Sequence, residues 1–326
     1  AIAWFTKTGT KQYQAPIEDA GGFWGSVGAT GFVFDPEVLY DELSGRFFAM
    51  AAEGYAPNSK SYVLIAVSDD SDPNGTWYKY RFDTSALAGN LFDSPNIAVD
   101  ENVVYVTGDG FGISANYPVY TYDKASMLAG LPPAVSKSTT LATSTQSAGM
   151  PPVSFDNPPY LYLIEHQEGS NRTQVRLLAL KDPLGSPNFV SYNLTVPAYS
   201  APGTPVQKGT TVRPQTFDAR FWSVAYRNGR LWAAHHVNAN PVESRWYEID
   251  MRGWPDSGSN PVLVQSGTAK IDNSIHTFFN SITVDPEGNA AMTFARSSSN
   301  EYISMVTTHR WASDPLGTMG AHVIRK

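Results

Sequence analysis

The chain has 326 residues, 42% of them hydrophobic and only 16% charged. That is enough apolar material for a sizeable core, and it excludes general disorder. A formal net charge of -7 speaks against a nucleic-acid partner, which would need a basic stripe, and the absence of cysteine removes disulfides, Cys-ligated zinc and a thiol nucleophile. No apolar run approaches the roughly 20 residues of a membrane-spanning helix, so membrane insertion is not expected.

Aromatic residues make up 13% of the chain, and the 26 Gly and 23 Pro are dispersed along it. Many short strands separated by turns follow from that composition. Ala1 to Lys7 reads as a first strand, expected to pair with the last blade of a ring and close it. Lys11 to Gly31 is weakly marked and would be the extra blade if there were six.

From Phe34 onward a degenerate repeat sets in. Each copy is an alternating run, a polar turn and a second apolar run. The first copy is Phe34 to Asp41 and then Arg46 to Ala52. The second is Ser94 to Asp100 and Val103 to Thr107. The third is Met150 to Asp156 and Tyr160 to Ile164. The fourth is Phe221 to Arg227 and Arg230 to Ala234, and the fifth is Phe279 to Asp285 and Asn289 to Phe294. The turns Asp41, Asp100, Asp156, Arg227 and Asp285 recur about every 60 residues, which leaves room for two more strands per copy. Ser61 to Val67 with Trp77 to Phe82, and Ser244 to Ile249 with Val262 to Ser266, fill that room. Four strands per period is the pattern of propeller blades. The expectation is a single all-β domain over residues 1–326, a β-propeller of five blades with six as the alternative. Val38, Ile97, Val153, Val224 and Ile282 should take equivalent places in it. Lys124 to Leu131 is the best helix, and Val196 to Pro214 reads as a long loop.

In a propeller the start of each inner strand and the end of the second strand lie on one face. Asp35, Asp93, Asp218 with Arg220, and His276 stand at the starts. Glu53, Asp109, Glu165 with His166, His235 with His236, and Arg296 stand at the ends. Convergent polar groups at a channel mouth are the natural place for a site. Asp35, Asp93, Asp218, His235, His236 and His276 are the catalytic candidates. Glu53, Asp109, His166, Arg220 and Arg296 are the substrate-binding ones. Successive strand residues face opposite ways, so only one of His235 and His236 can face a given ligand. Asp70-Ser71-Asp72-Pro73-Asn74-Gly75 opens like a calcium loop, with Arg81 where the closing Glu belongs. Asp70, Asp72 and Asn74 are therefore candidate ligands for a structural Ca2+. No other cofactor is required.

The run Asp35-Pro36-Glu37-Val38-Leu39-Tyr40-Asp41, followed by Phe47-Phe48, resembles the first-blade motif of five-bladed arabinanase and β-xylosidase-type glycosidases. The resemblance implies that Asp35 is a general base and that Asp93 tunes an acid. The catalytic Glu of that family, in a Glu-Gly-Pro motif, has no counterpart here. A wider resemblance takes in Ala66-Val67-Ser68, Asp72-Pro73 with Gly75 and Trp77, Arg245-Trp246-Tyr247-Glu248, Gln265-Ser266-Gly267 and Asp314-Pro315-Leu316-Gly317-Thr318. These look like large secreted bacterial proteins, and they imply secretion and a propeller but no particular reaction.

The functional expectation is a secreted, monomeric carbohydrate-active enzyme that cleaves an extracellular polysaccharide. As a glycoside hydrolase it would use Asp35 with Asp93 or Asp218. As a polysaccharide lyase it would use His235 or His236 as base, Arg220 or Arg296 against the uronate, and a Tyr such as Tyr117 as acid. The alternative is a non-catalytic, lectin-like glycan-binding or adhesion propeller.

Overall fold

The computed structural model describes residues 1–56, 60–111, 115–141 and 149–325. The chain is all-β apart from short helical turns. A hairpin of β1 (Ile2–Phe5) and β2 (Lys11–Ala15) comes first. The first sheet is β3 (Phe32–Asp41), β4 (Arg46–Ala56), β5 (Lys60–Ser68) and β6 (Trp77–Asp83), paired in that order. The second sheet holds β7 (Phe92–Val99), β8 (Val103–Phe111), the short β9 (Ala115–Asn116), β10 (Pro118–Asp123) and β11 (Ser136–Thr140), with α2 (Lys124–Leu128) between the last two; α1 (Ser85–Ala88) precedes this sheet. After the two-residue β12 (Val153–Ser154), the third sheet is β13 (Leu161–Glu165), β14 (Arg172–Lys181) and β15 (Asn188–Tyr199). The fourth is β16 (Phe221–Arg227), β17 (Arg230–Val237), β18 (Glu243–Asp250) and β19 (Val262–Thr268). The fifth is β20 (His276–Val284), β21 (Ala290–Ser298), β22 (Glu301–Arg310) and β23 (Val323–Arg325). Five successive antiparallel meanders are the strand order of a five-bladed β-propeller.

The contacts gather the chain into two compact units, Ala1–Thr143 with Lys181–Asn188, and Ser144–Leu180 with Phe189–Lys326. In the first unit, Leu39, Phe48, Ile65, Ile97, Val106 and Met127 belong to one buried cluster, and Trp24, Ala51 and Leu64 to a second, against which Ile2, Trp4 and Tyr13 of the N-terminal hairpin pack. In the second unit, one cluster holds Tyr162, Leu177, Phe221 and Tyr247, and another Trp232, Trp246, Ile282 and Phe294.

Turn chemistry sets the hairpins. Asp41 accepts the N–H groups of Leu43 and Ser44, and Gly45 closes the turn at φ 67°. Asp100 accepts from Asn102 and Val103, and Asp285 from Asn289. Short polar side chains bonding their own turn are the reason Asp recurs there.

Four expectations are corrected. The N-terminal strand does not join the fifth sheet. β1 pairs with β2, and the fourth strand of the fifth sheet is β23. The third copy also lacks a regular inner hairpin. Met150 makes an isolated bridge to Ile164, and Val153 and Ser154 pair in parallel with Ala225 and Tyr226 of β16. Pro151-Pro152 and Pro158-Pro159 have no N–H to give to an antiparallel ladder, so Val153 does not share the register of its counterparts. Those counterparts are aligned: Val38 pairs with Ala49, Ile97 with Val106, Val224 with Ala233 and Ile282 with Met292. The predicted helix ends at Leu128, and the predicted loop begins only after β15 ends at Tyr199.

Candidate active site

Just before those aligned residues each inner strand breaks register. The shifts fall between Phe34 and Glu37, Asp93 and Asn96, Phe221 and Ser223, and Phe278 and Ser281. Asp35, Ser94 and Phe279 sit in three of these bulges at φ 46°, 47° and 50°. Left-handed backbone is uncommon for such residues, and bulges of this kind re-aim a side chain. Strain of this sort gathers at functional positions.

In the first unit the bulges of β3 and β7 bring carboxyl groups together. The Asp35 carboxyl lies beside the Asp93 carboxyl and near the Ser94 N–H. Asp93 accepts from Ser94, at 2.9 Å. Partial burial, then the neighbouring Asp93 charge, hold the Asp35 carboxyl above its ordinary range. Asp109 is buried and pairs in register with Asp93. Two residues beyond Asp35, Glu37 accepts the N–H of Ile97 at 2.9 Å, and desolvation pushes its pKa up to about 7. The sequence reading did not single out Glu37; its position two residues after Asp35 along one strand was the available signal.

Glu53 is in the same unit but is fully enclosed. Its carboxylate accepts from the N–H groups of Thr30 and Gly31, at 2.9 and 2.7 Å, and from Arg81 at 2.6 and 3.1 Å. Arg81 in turn lies 3.5 Å from the centre of the Tyr62 ring. Asp70, Asp72 and Asn74 form the β5–β6 turn. Asp70 accepts from the Asp72 N–H, Asp72 accepts from the backbone and side chain of Asn74, and the Asn74 oxygen accepts from the Trp4 indole at 2.9 Å. The Asn74 oxygen is thus bonded to Trp4, and one oxygen of each Asp to the next residues of the turn, so the turn is held by its own hydrogen bonds. Asp70 and Asp72 belong to no group of three carboxylate or imidazole side chains within ligand reach; among the described residues that grouping occurs only at His166, Glu168 and Asp218.

In the second unit, His166 Nε2 lies 2.7 Å from Glu168 and 3.9 Å from Asp218. Arg220 grips both oxygens of Asp218 at 2.9 Å and holds its carboxyl below the usual range despite burial. The guanidinium thus supplies Asp218 with the positive charge a metal ion would otherwise bring. His235 and His236 are fully buried. His235 Nδ1 donates to Ala219 O at 2.8 Å and Nε2 accepts from the Tyr247 hydroxyl at 3.0 Å. His236 Nε2 donates to Thr216 O at 2.7 Å and Nδ1 accepts from the Phe279 N–H at 3.2 Å. Both rings are therefore satisfied as neutral imidazoles. Burial lowers the pKa of both, that of His236 to about 4. His276 accepts from the Val242 N–H through Nδ1, and burial lowers its pKa too. Arg296 is paired with Glu301 at 2.6 to 2.9 Å. Beside Asp218 and His236 stand the exposed rings of Phe217 and Phe279, with Trp222 6.0 and 4.9 Å from them.

No family profile and no curated protein matches the chain. Solved structures of similar fold include an endo-arabinase from Bacteroides thetaiotaomicron, at 14% identity over 87% of this chain and 95% of that one, TM-score 0.43. A family-43 glycoside hydrolase from Xanthomonas citri complexed with xylotriose is 13% identical over 90% and 91%, TM-score 0.45. A β-xylosidase/α-arabinofuranosidase from a compost metagenome, with xylotriose and in calcium-free form, is 11% identical over 90% and 95%, TM-score 0.42. At identities this low the likeness is one of fold.

Proposed function

We propose that this protein is a secreted glycoside hydrolase acting on an extracellular polysaccharide, with its chemistry at the seam of β3 and β7. The observation that carries this reading is the meeting of the Asp35 and Asp93 carboxyls at that seam, with Glu37 two residues further along β3 and the carboxyls of Asp35 and Glu37 held above the ordinary range. Carboxyls driven to different pKa values by their surroundings are how one site holds both an acid and a base near neutral pH. Glu37, protonated up to about pH 7, gives its proton to the glycosidic oxygen. Asp35, made more basic by the charge of Asp93, takes a proton from the attacking water. One water is consumed, and both protons return through solvent. An inverting mechanism requires these two carboxyls to stand roughly 6.5–9.5 Å apart across the bulge. Asp35 and Asp93 are too close together to flank a sugar bond themselves, so Asp93 is a tuning residue. No cation is needed for these steps.

The experiment is a panel of purified plant and microbial polysaccharides assayed for new reducing ends, with the anomer of the product followed by NMR. Turnover that disappears in Asp35→Asn and in Glu37→Gln supports the reading. Unsaturated products would mean a lyase instead. Such a lyase would draw on His276, whose Nε2 the ring's one described bond leaves free, more readily than on His235 or His236.

A second reading, a glycan-binding module without turnover, is favoured by the second unit. Phe217 and Phe279 are exposed aromatic faces beside the polar Asp218–Arg220 pair, and such faces stack on sugar rings. Glycan binding with no cleavage of any substrate would establish it.

A further inference from the structure

The turn end of the fourth and fifth sheets, within the second unit, holds a cavity of about 390 Å³. Trp232, Val264, Val284 and Pro286 give it apolar walls, Leu316 stands at its edge, and Arg310 lines it from within. Arg310 is 1% exposed. One Nη donates to Asp314 O at 3.2 Å, and the guanidinium lies 5.7 Å from the centre of the Trp246 ring. Its Nε is buried and has no hydrogen-bond partner.

The other charges of the pocket are already engaged, Arg227 with its guanidinium 4.5 Å from the centre of the Phe155 ring. Arg230 is paired with Glu248, whose second oxygen accepts from Gln265. Asp285 holds its own turn through Asn289, and Glu287 is exposed at the rim. None of these carboxylates reaches Arg310. A guanidinium taken out of water without a counter-charge is costly, because the desolvation of the ion is not offset by a partner. An oxyanion offering two oxygens to the guanidinium would offset it, and planar or tetrahedral oxyanions suit that fork. At about 30 Å³ per water the cavity equals roughly a dozen waters, room for a body of monosaccharide size.

We propose that this pocket binds a small organic oxyanion, a carboxylate or a phosphate monoester on a compact sugar-sized body, with Arg310 as its counter-charge. The site is separate from the β3–β7 seam and does not depend on any reaction there. A carboxylate and a phosphate share the recognition chemistry, so both are used as probes.

The test is a thermal-unfolding and calorimetric titration at low ionic strength with glucuronate, with glucose 6-phosphate and with neutral glucose. At least one of the anions should raise the melting temperature by a few degrees in the millimolar range, while glucose does not. The larger shift identifies the preferred oxyanion. Arg310→Met should abolish the shift. Because Arg310 is buried and that variant can fail to fold, Leu316→Glu serves as the second. It adds a negative charge at an exposed edge position and should weaken anion binding at least tenfold. If neither anion stabilises the protein more than glucose does, or if the anion shift is undiminished in Leu316→Glu, the proposal is wrong.

Discussion

Asp35 and Asp93 stand on the inner strands of adjoining sheets, and the charge of Asp93 raises the pKa of the Asp35 carboxyl beside it. The arrangement keeps two like charges in contact where ordinary side-chain repulsion would separate them. Its consequence is a base whose strength is set by its neighbour.

Asp35→Asn should leave the fold intact, since the amide keeps the shape, and should reduce turnover by a hundredfold or more. Asp93→Asn tests the coupling separately. The Asp93 charge raises the Asp35 pKa, so its removal lowers that pKa. The acid limb of the rate profile should then move to lower pH, with a smaller loss of rate. A rate–pH profile of the two variants checks both points.

Glu37 makes stability depend on pH in the opposite sense to most carboxylates. Its folded pKa is raised from 4.5 to about 7, so the folded protein holds this proton more tightly than the unfolded chain. The contribution is present below about pH 4.5 and is lost as pH rises to about 7. Melting temperatures across that range should fall less steeply with pH in Glu37→Gln than in the parent. Equal slopes would show that Glu37 titrates normally.

Lys124 is buried 2.6 Å from buried Asp41, tying α2 to the first hairpin turn of the first sheet. Lys124→Met leaves Asp41 without its cation and should destabilise the protein by about 3 kcal/mol, the lower end for a broken buried pair because three turn groups still bond that carboxylate. The double variant Asp41→Leu/Lys124→Met should recover part of that loss. Urea titrations of the three proteins give the coupling.

Chelator should leave the melting curve unchanged, because the Asp70–Asn74 turn is held by its own hydrogen bonds. Asn74→Ala should cost about 1 kcal/mol through the lost bonds to Trp4 and Asp72. A drop in melting temperature with chelator that calcium reverses would show that the turn holds the ion.

Much of the architecture could be read directly from the residues. The recurring turn acids marked the hairpins, and Val38, Ile97, Val224 and Ile282 marked a common register. The third copy failed where its prolines withhold the N–H groups of a ladder, a signal visible in Pro151-Pro152 but read as part of a strand. Asp35 and Asp93 stood out as acids at strand starts. Glu37 did not, because its perturbation comes from burial and from the N–H of Ile97 on another sheet. His235 and His236 looked reactive for the same reason. The groups that occupy them include the carbonyls of Ala219 and Thr216 and the N–H of Phe279, and backbone atoms leave no mark in a residue pattern.

The bulges carry a consequence for how such a chain can change. Beyond each register break the antiparallel ladder resumes, while the residue of left-handed backbone within the break is Asp in one sheet, Ser in another and Phe in a third. Backbone strain is thus held constant and side-chain chemistry is left free. Three blades present an interchangeable socket, into which new reactivity can be fitted by a single codon change.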